Sequence, residues 1–151
     1  MSDGSPVLTF RDPETFDALG GVTVRLEGAA VMNLNELECV GDDVYANVWR
    51  ETRILRIDPA TGDVTAVIDA SALDADLRAR YDLPDPYDCL NGIAHIPGTD
   101  RFYVTGKHWP ELYEARFLPV ADATATAAAA SATPTATATA TAGATATPEA
   151  A

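Results

Sequence analysis

Lys107 is the only lysine in the chain, and nine arginines carry every other fixed side-chain positive charge. It stands in "VTGKHWPELYE", residues 104–114. Lysine offers a compact ammonium on a flexible stem, with a proton that can be lost, whereas arginine is a broad fork that stays charged. Two further residues have matching talents. Asn35 in "NLNELE" supplies an amide that both donates and accepts, and Trp49 in "ANVWRE" supplies an indole wall. An ammonium, an amide and an indole around a concave mouth are the parts of a site for a small polar group. Each has an ordinary alternative. An arginine-rich genome leaves few lysines, Trp49 suits packing between sheets, and Asn35 suits a strand-end cap.

Internal repetition says which elements must hold these residues. "VLTFRDPETFDALGGVTV" (7–24) aligns with "ILRIDPATGDVTAVIDAS" (54–71), each a strand, an Asp-Pro-x-Thr turn and a second strand. "LNELECVGDDVYANVW" (34–49) aligns with "LNGIAHIPGTDRFYVTGK" (90–107). Joined, these make a four-stranded unit recurring at about 45–55 residues, the spacing of propeller blades. Residues 34–71 read as one complete blade, 1–24 as the outer half of the blade before it, and 90–117 as the inner three strands of the next. Between them, 72–89 is an insertion in which "LDADLRARY" predicts a short helix ended by two prolines. The fold class is therefore all-β, a partial β-propeller of about two blades. A closed propeller takes at least four, so N-terminal blades are expected to be missing from this chain. The alignment gives Trp49 and Lys107 one equivalent blade position, and Asn35 and Asn91 another. Equivalent positions surround one axis, so Asn35, Trp49 and Lys107 are expected at one mouth of the channel.

Residues 1–118 form the candidate domain. From 119 to 151 the composition collapses to Ala and Thr, without aromatic residues. Such a tract buries too few large side chains to offset its entropy, and it reads as a disordered tail. The net charge of −13 argues against binding a nucleic-acid backbone, which takes clustered Lys and Arg. No run is long enough to span a membrane, and "MSDGSPVLTF" lacks the basic and apolar regions of a signal peptide. Cys39 and Cys89 read as buried free thiols. His95 and His108, the two histidines, have no metal-ligand spacing, and no metal site is expected.

At "LNELECVGDDVYANVWRETRILRIDPATGDV", "DCLNGIAHIPGTDRFYVTGKHWPELYEARF" and "MSDGSPVLTFRDPETF" the sequence resembles the glutaminyl-peptide cyclotransferases of the plant and bacterial type. The resemblance covers residues 1–117. It implies a five-bladed propeller that converts N-terminal glutamine of peptides and proteins to pyroglutamate, releases ammonia and takes no cofactor. It implies that Asn35 and Lys107 are catalytic, holding the carboxamide and its developing charge, and that Trp49 binds substrate as an aromatic wall. It implies an extracellular or cell-envelope setting, which nothing in this chain encodes. The family's principal acid/base glutamate corresponds to a position before residue 1. The expectation is therefore an N-terminally truncated form, and the activity of this chain alone is left open. Glu36 and Glu38 read as supporting residues, and Trp109 of the "GKxW" pattern as packing. The competing reading is a non-catalytic propeller remnant that binds peptides or proteins. A sugar- or lactone-processing propeller is a weaker third, since such sites usually cluster metal ligands.

Overall fold

Asp12 and Asp58 each close a tight turn, and the two turns share one hydrogen-bond scheme. Asp12 N–H donates to Asp17 O at 2.9 Å, and Asp58 N–H donates to Asp63 O at 3.0 Å. Phe16 N–H returns to Asp12 O, as Gly62 N–H returns to Asp58 O. Each aspartate also caps its own turn, Asp12 Oδ1 accepting from Glu14 and Thr15 N–H, and Asp58 Oδ1 from Ala60 N–H. Both turns end on a positive φ, 64° at Phe16 and 82° at Gly62. Only Gly62 is obliged to be glycine, because a Cβ there would stand 2.3 Å from Thr23 O.

The structure, a computed structural model, describes residues 1–85 and 88–119, and the backbone of 135–140. The Asp12 turn joins β1 (Val7–Arg11) to β2 (Ala18–Thr23) as a separate antiparallel pair. A minor hairpin, β3 (Arg25–Leu26) with β4 (Ala29–Ala30), follows. β5 (Leu34–Val40), β6 (Asp43–Val48), β7 (Arg53–Ile57) and β8 (Val64–Asp69) form an antiparallel meander, with the Asp58 turn between the last two. Helix α1 (Ser71–Arg80) occupies the predicted insertion, burying Leu73 and Leu77. A second meander repeats the first: β9 (Leu90–His95), β10 (Arg101–Gly106) and β11 (Tyr113–Pro119).

The tail departs from expectation at one place. Residues Thr135–Ala140 form β12, antiparallel to β11 and parallel to β8. It takes the fourth place in the second meander and joins both into one eight-stranded sheet, ordered β5-β6-β7-β8-β12-β11-β10-β9. Ladder bonds are made by backbone, so the open edges of β8 and β11 need no large side chain to be paired. Thr at alternate positions of "TATATA" suits an extended strand. The rest of the expected disordered tail lies outside the described residues.

Two cores flank the first meander, because its strands alternate between faces. Leu55 and Ile57 point with Leu8, Val24, Val48 and Val64 toward β1–β2. Ile54 and Ile68 point with Leu90, Phe102, Val104, Trp109 and Tyr113 toward the second meander. Fully burying one such side chain contributes about 1.5–3 kcal/mol. Among the described residues the class is all-β with one short helix, and the strands do not close into a ring.

Candidate functional site

Strand ends, not strand middles, carry the candidate residues. β6 runs out at Val48 and β10 at Gly106, so Trp49 and Lys107 are the first residues beyond paired strands. Trp49 N–H donates to Asn33 O at 2.8 Å, and Lys107 N–H donates to Cys89 O at 2.9 Å. Asn33 and Cys89 each immediately precede the inner strand of their meander. The next residues, Arg50 and His108, both have positive φ, 66° and 57°. Each turn then closes three residues on, Glu51 N–H to Val48 O and Trp109 N–H to Gly106 O. The repeat equivalence of Trp49 and Lys107 is thus a property of the backbone.

The equivalent turns bring their side chains together. Lys107 Nζ lies 5.9 Å from the centroid of the Trp49 ring, at the outer reach of a cation–π contact. Lys107 is exposed and Trp49 half-buried. The Arg50 guanidinium lies 5.8 Å from the same ring. Asn35 sits in a bulge of β5, between the pairs Leu34↔Val48 and Leu37↔Ala46. It is half-buried, and its carbonyl accepts from Ser2 Oγ. Its counterpart Asn91 occupies the matching irregularity of β9, between Leu90↔Gly106 and Gly92↔Thr105. All four residues therefore share one end of the two meanders, at their facing inner strands.

Three further residues belong here and escaped sequence reasoning. Asn47 is fully buried, 0% exposed, and neither its Oδ1 nor its Nδ2 meets a protein partner among the described residues. It lies on β6 two residues before Trp49. The signal was an amide at a core phase of "VYANVW". Asp88 is buried, and its Oδ1 lies 2.8 Å from His108 Nδ1. No sequence pattern joins these two, twenty residues apart.

Other acidic and aromatic groups tie the strands together. Glu38 Oε1 accepts from His95 N–H at 2.9 Å, tying β5 to the open edge of β9. Trp109 is buried, donates Nε1–H to Asp88 O at 3.2 Å, and meets Tyr113 edge-on. Behind it, Arg80 gathers Glu111, Asp76 and Tyr113. Its guanidinium holds the Asp76 and Glu111 carboxyls below the usual carboxylate range. Burial pushes the Tyr113 phenol up to about 12, and its hydrogen bond to Asp76 adds to that.

Both cysteines are free. Cys89 is buried as expected, but Cys39 is exposed, near the hairpin end of β5 where it pairs with Val44. A cavity of about 320 Å³ lies beside the site, not in it. It is lined by Leu26, Val31, Met32, Glu51 and Arg53 among others, and it touches the Trp49 turn only through Asn33 and Glu51.

The chain matches known proteins in both sequence and structure. Residues 1–117 match the family described as glutamine cyclotransferase. A glutaminyl-peptide cyclotransferase of Arabidopsis thaliana is 39% identical over 115 residues, covering 76% of this chain and 35% of the relative. The crystal structure of Myxococcus xanthus glutaminyl cyclase matches with a TM-score of 0.70 at 48% identity, covering 75% of this chain and 48% of that one. The chain thus spans about a third to a half of these relatives.

Proposed function

The chain belongs to the glutamine cyclotransferase family, and from that premise we propose that its paired turns form one side of a site cyclising N-terminal glutamine of peptides. The observation that carries this reading is the approach of Lys107 Nζ to the Trp49 ring from equivalent turns.

In the reaction, the substrate's free α-amine attacks its own γ-carboxamide carbon. A C–N bond forms, and the carbonyl electrons move to oxygen as a tetrahedral oxyanion. The bond to the carboxamide nitrogen then breaks, and ammonia leaves with a proton that the attacking amine has given up. Lys107 donates to the oxyanion, a place where a preorganised charge does most of its work. Asn35 holds the carboxamide by its own amide. Trp49 walls the short side chain and keeps water out. Peptides and proteins with N-terminal glutamine are the substrates, met in an extracellular or cell-envelope setting.

A proton carrier is also required. Glu38 and Asp88 are already engaged, by His95 N–H and His108. That engagement favours a second reading for the chain by itself, a module that holds glutaminyl peptides without turning them over. Two measurements on one sample decide. Ammonia release from a Gln-initiated dipeptide above the uncatalysed rate supports cyclisation. Saturable calorimetric binding without release supports the module. Absence of both removes the site.

A further inference from the structure

We propose that Asp88 and His108 form a positioning pair that fixes where Lys107 presents its ammonium, an assignment that rests on Lys107 being the site's cation. The Lys107 side chain is exposed, so its own packing does not set its direction. The turn beneath it does. That turn holds His108 at φ 57°, a conformation costing a non-glycine residue about 1–2 kcal/mol. Such a conformation persists only where its surroundings over-determine it.

Residues 88 and 89 supply that determination. Cys89 O receives Lys107 N–H. Asp88 O receives Trp109 Nε1–H. The Asp88 carboxylate oxygen Oδ1 lies within hydrogen-bond reach of His108 Nδ1, at 2.8 Å. Three consecutive residues, 107 to 109, are thus pinned to two. The pinning residues are themselves held, because Arg78 donates to Asp88 O at 2.8 Å and Asp88 N–H donates to Asp85 O at 2.9 Å. The pair is also asymmetric. The Asp88 side chain is 8% exposed and that of His108 78%. The imidazole closes over a buried carboxylate from outside, and its removal leaves that carboxylate underneath without the bond. Lys107 Nζ already stands near the limit of contact with Trp49. A small rotation of the turn therefore separates them.

The single lysine makes the test direct. Reductive methylation with ¹³C-formaldehyde labels the Lys107 amine and the amino terminus only, and it keeps the charge. In the unmodified fold the Lys107 methyl signal is expected upfield, in the ring current of Trp49. His108→Ala, an exposed side chain, is expected to abolish that displacement and leave the stacked Phe102 and Phe117 signals in place. Asp88→Asn keeps an acceptor oxygen and is expected to retain it, whereas Asp88→Ala loses it. An upfield signal unchanged in His108→Ala overturns the proposal even if Asp88→Ala fails to fold. All of this is read without substrate. If His108→Ala loses the displacement yet binds a Gln-initiated dipeptide as well as the parent, the pair still positions Lys107 and the role given to Lys107 is what falls.

Discussion

The turns after β6 and β10 share a backbone and differ in nearly everything mounted on it. Both donate an N–H to the residue before an inner strand, both place a non-glycine residue at positive φ, and both close over three residues. One presents an indole and the other an ammonium. The strand positions behind them diverge as well. Val48 is a buried core residue where Gly106 has no side chain, because the Trp109 ring occupies that space. Asn47 is a buried amide without a protein partner among the described residues, whereas Thr105 donates its hydroxyl to Glu111 O at 2.9 Å. The difference teaches that the repeat fixes where a side chain emerges and leaves its chemistry free. Two copies of one turn can therefore supply unlike halves of a site.

The sharpest way to break this comparison is at the candidate residues. Lys107→Arg keeps the charge and changes its shape and reach. In a full-length form that cyclises glutamine, it is expected to raise the barrier by about 2.7–4 kcal/mol, roughly a hundredfold or more in kcat. Trp49→Phe is expected to raise KM with a smaller effect on kcat, since a wall supplies contact area. Steady-state kinetics separates the two, and equal effects would erase the division of labour.

The residues one step back respond to alanine for opposite reasons. A Cβ at Gly106 would stand 2.5 Å from the Trp109 ring and from Cys89 O. Gly106→Ala is therefore expected to destabilise by overpacking, about 1–3 kcal/mol. Val48→Ala should destabilise by a similar amount through the void it leaves. Urea unfolding measures both, and a neutral Gly106→Ala would mean that Trp109 does not fold over that turn.

At the next pair the signs diverge. Asn47→Leu is expected to gain about 1 kcal/mol, because an unpartnered buried amide is replaced by an apolar group of similar size. Thr105→Val should lose about 0.5–1.5 kcal/mol with its hydrogen bond. A shift of the urea midpoint in the same direction for both would place a partner on Asn47.

A pH-dependent effect concerns Tyr113, which occupies on β11 the place of Leu55 on β7. Its folded pKa lies at about 12, above the ordinary tyrosine value of 10.0. The stability it contributes is therefore complete below the ordinary value and is lost as pH rises from there through about 12. Urea midpoints followed upward from neutral pH should decline above about 10, and Tyr113→Phe should flatten that decline. Asp76 and Glu111 act at the opposite end. Their depressed carboxyls stabilise above the unfolded carboxylate range, and that contribution is lost as pH falls through it.

Much of this architecture was legible because it is local. The paired Asp-Pro turns, the helix ahead of its prolines and the equivalence of Trp49 with Lys107 all follow from residues near in sequence. Asp88 was not legible, because its meaning depends on His108 and Arg78 reaching it across the fold. Asn47 sat between Ala46 and Val48, and only the structure shows that both faces of β6 are buried there. Cys39 looked like a core position because it stands in an apolar strand, and only the structure shows that its side chain is exposed. The strand at 135–140 was missed for another reason. Core-forming capacity was weighed for the tail, whereas two open strand edges recruit backbone from almost any extended sequence.

The central claim is that Trp49 and Lys107 are halves of one site for an N-terminal glutamine. Titrating the ¹⁵N-labelled, ¹³C-methylated chain with a Gln-initiated dipeptide tests it most directly. The Trp49 indole and Lys107 methyl signals are predicted to move together on one binding curve, and an Asn-initiated dipeptide, one methylene shorter, to move them less. Movement of one signal without the other, or of neither, would contradict the account.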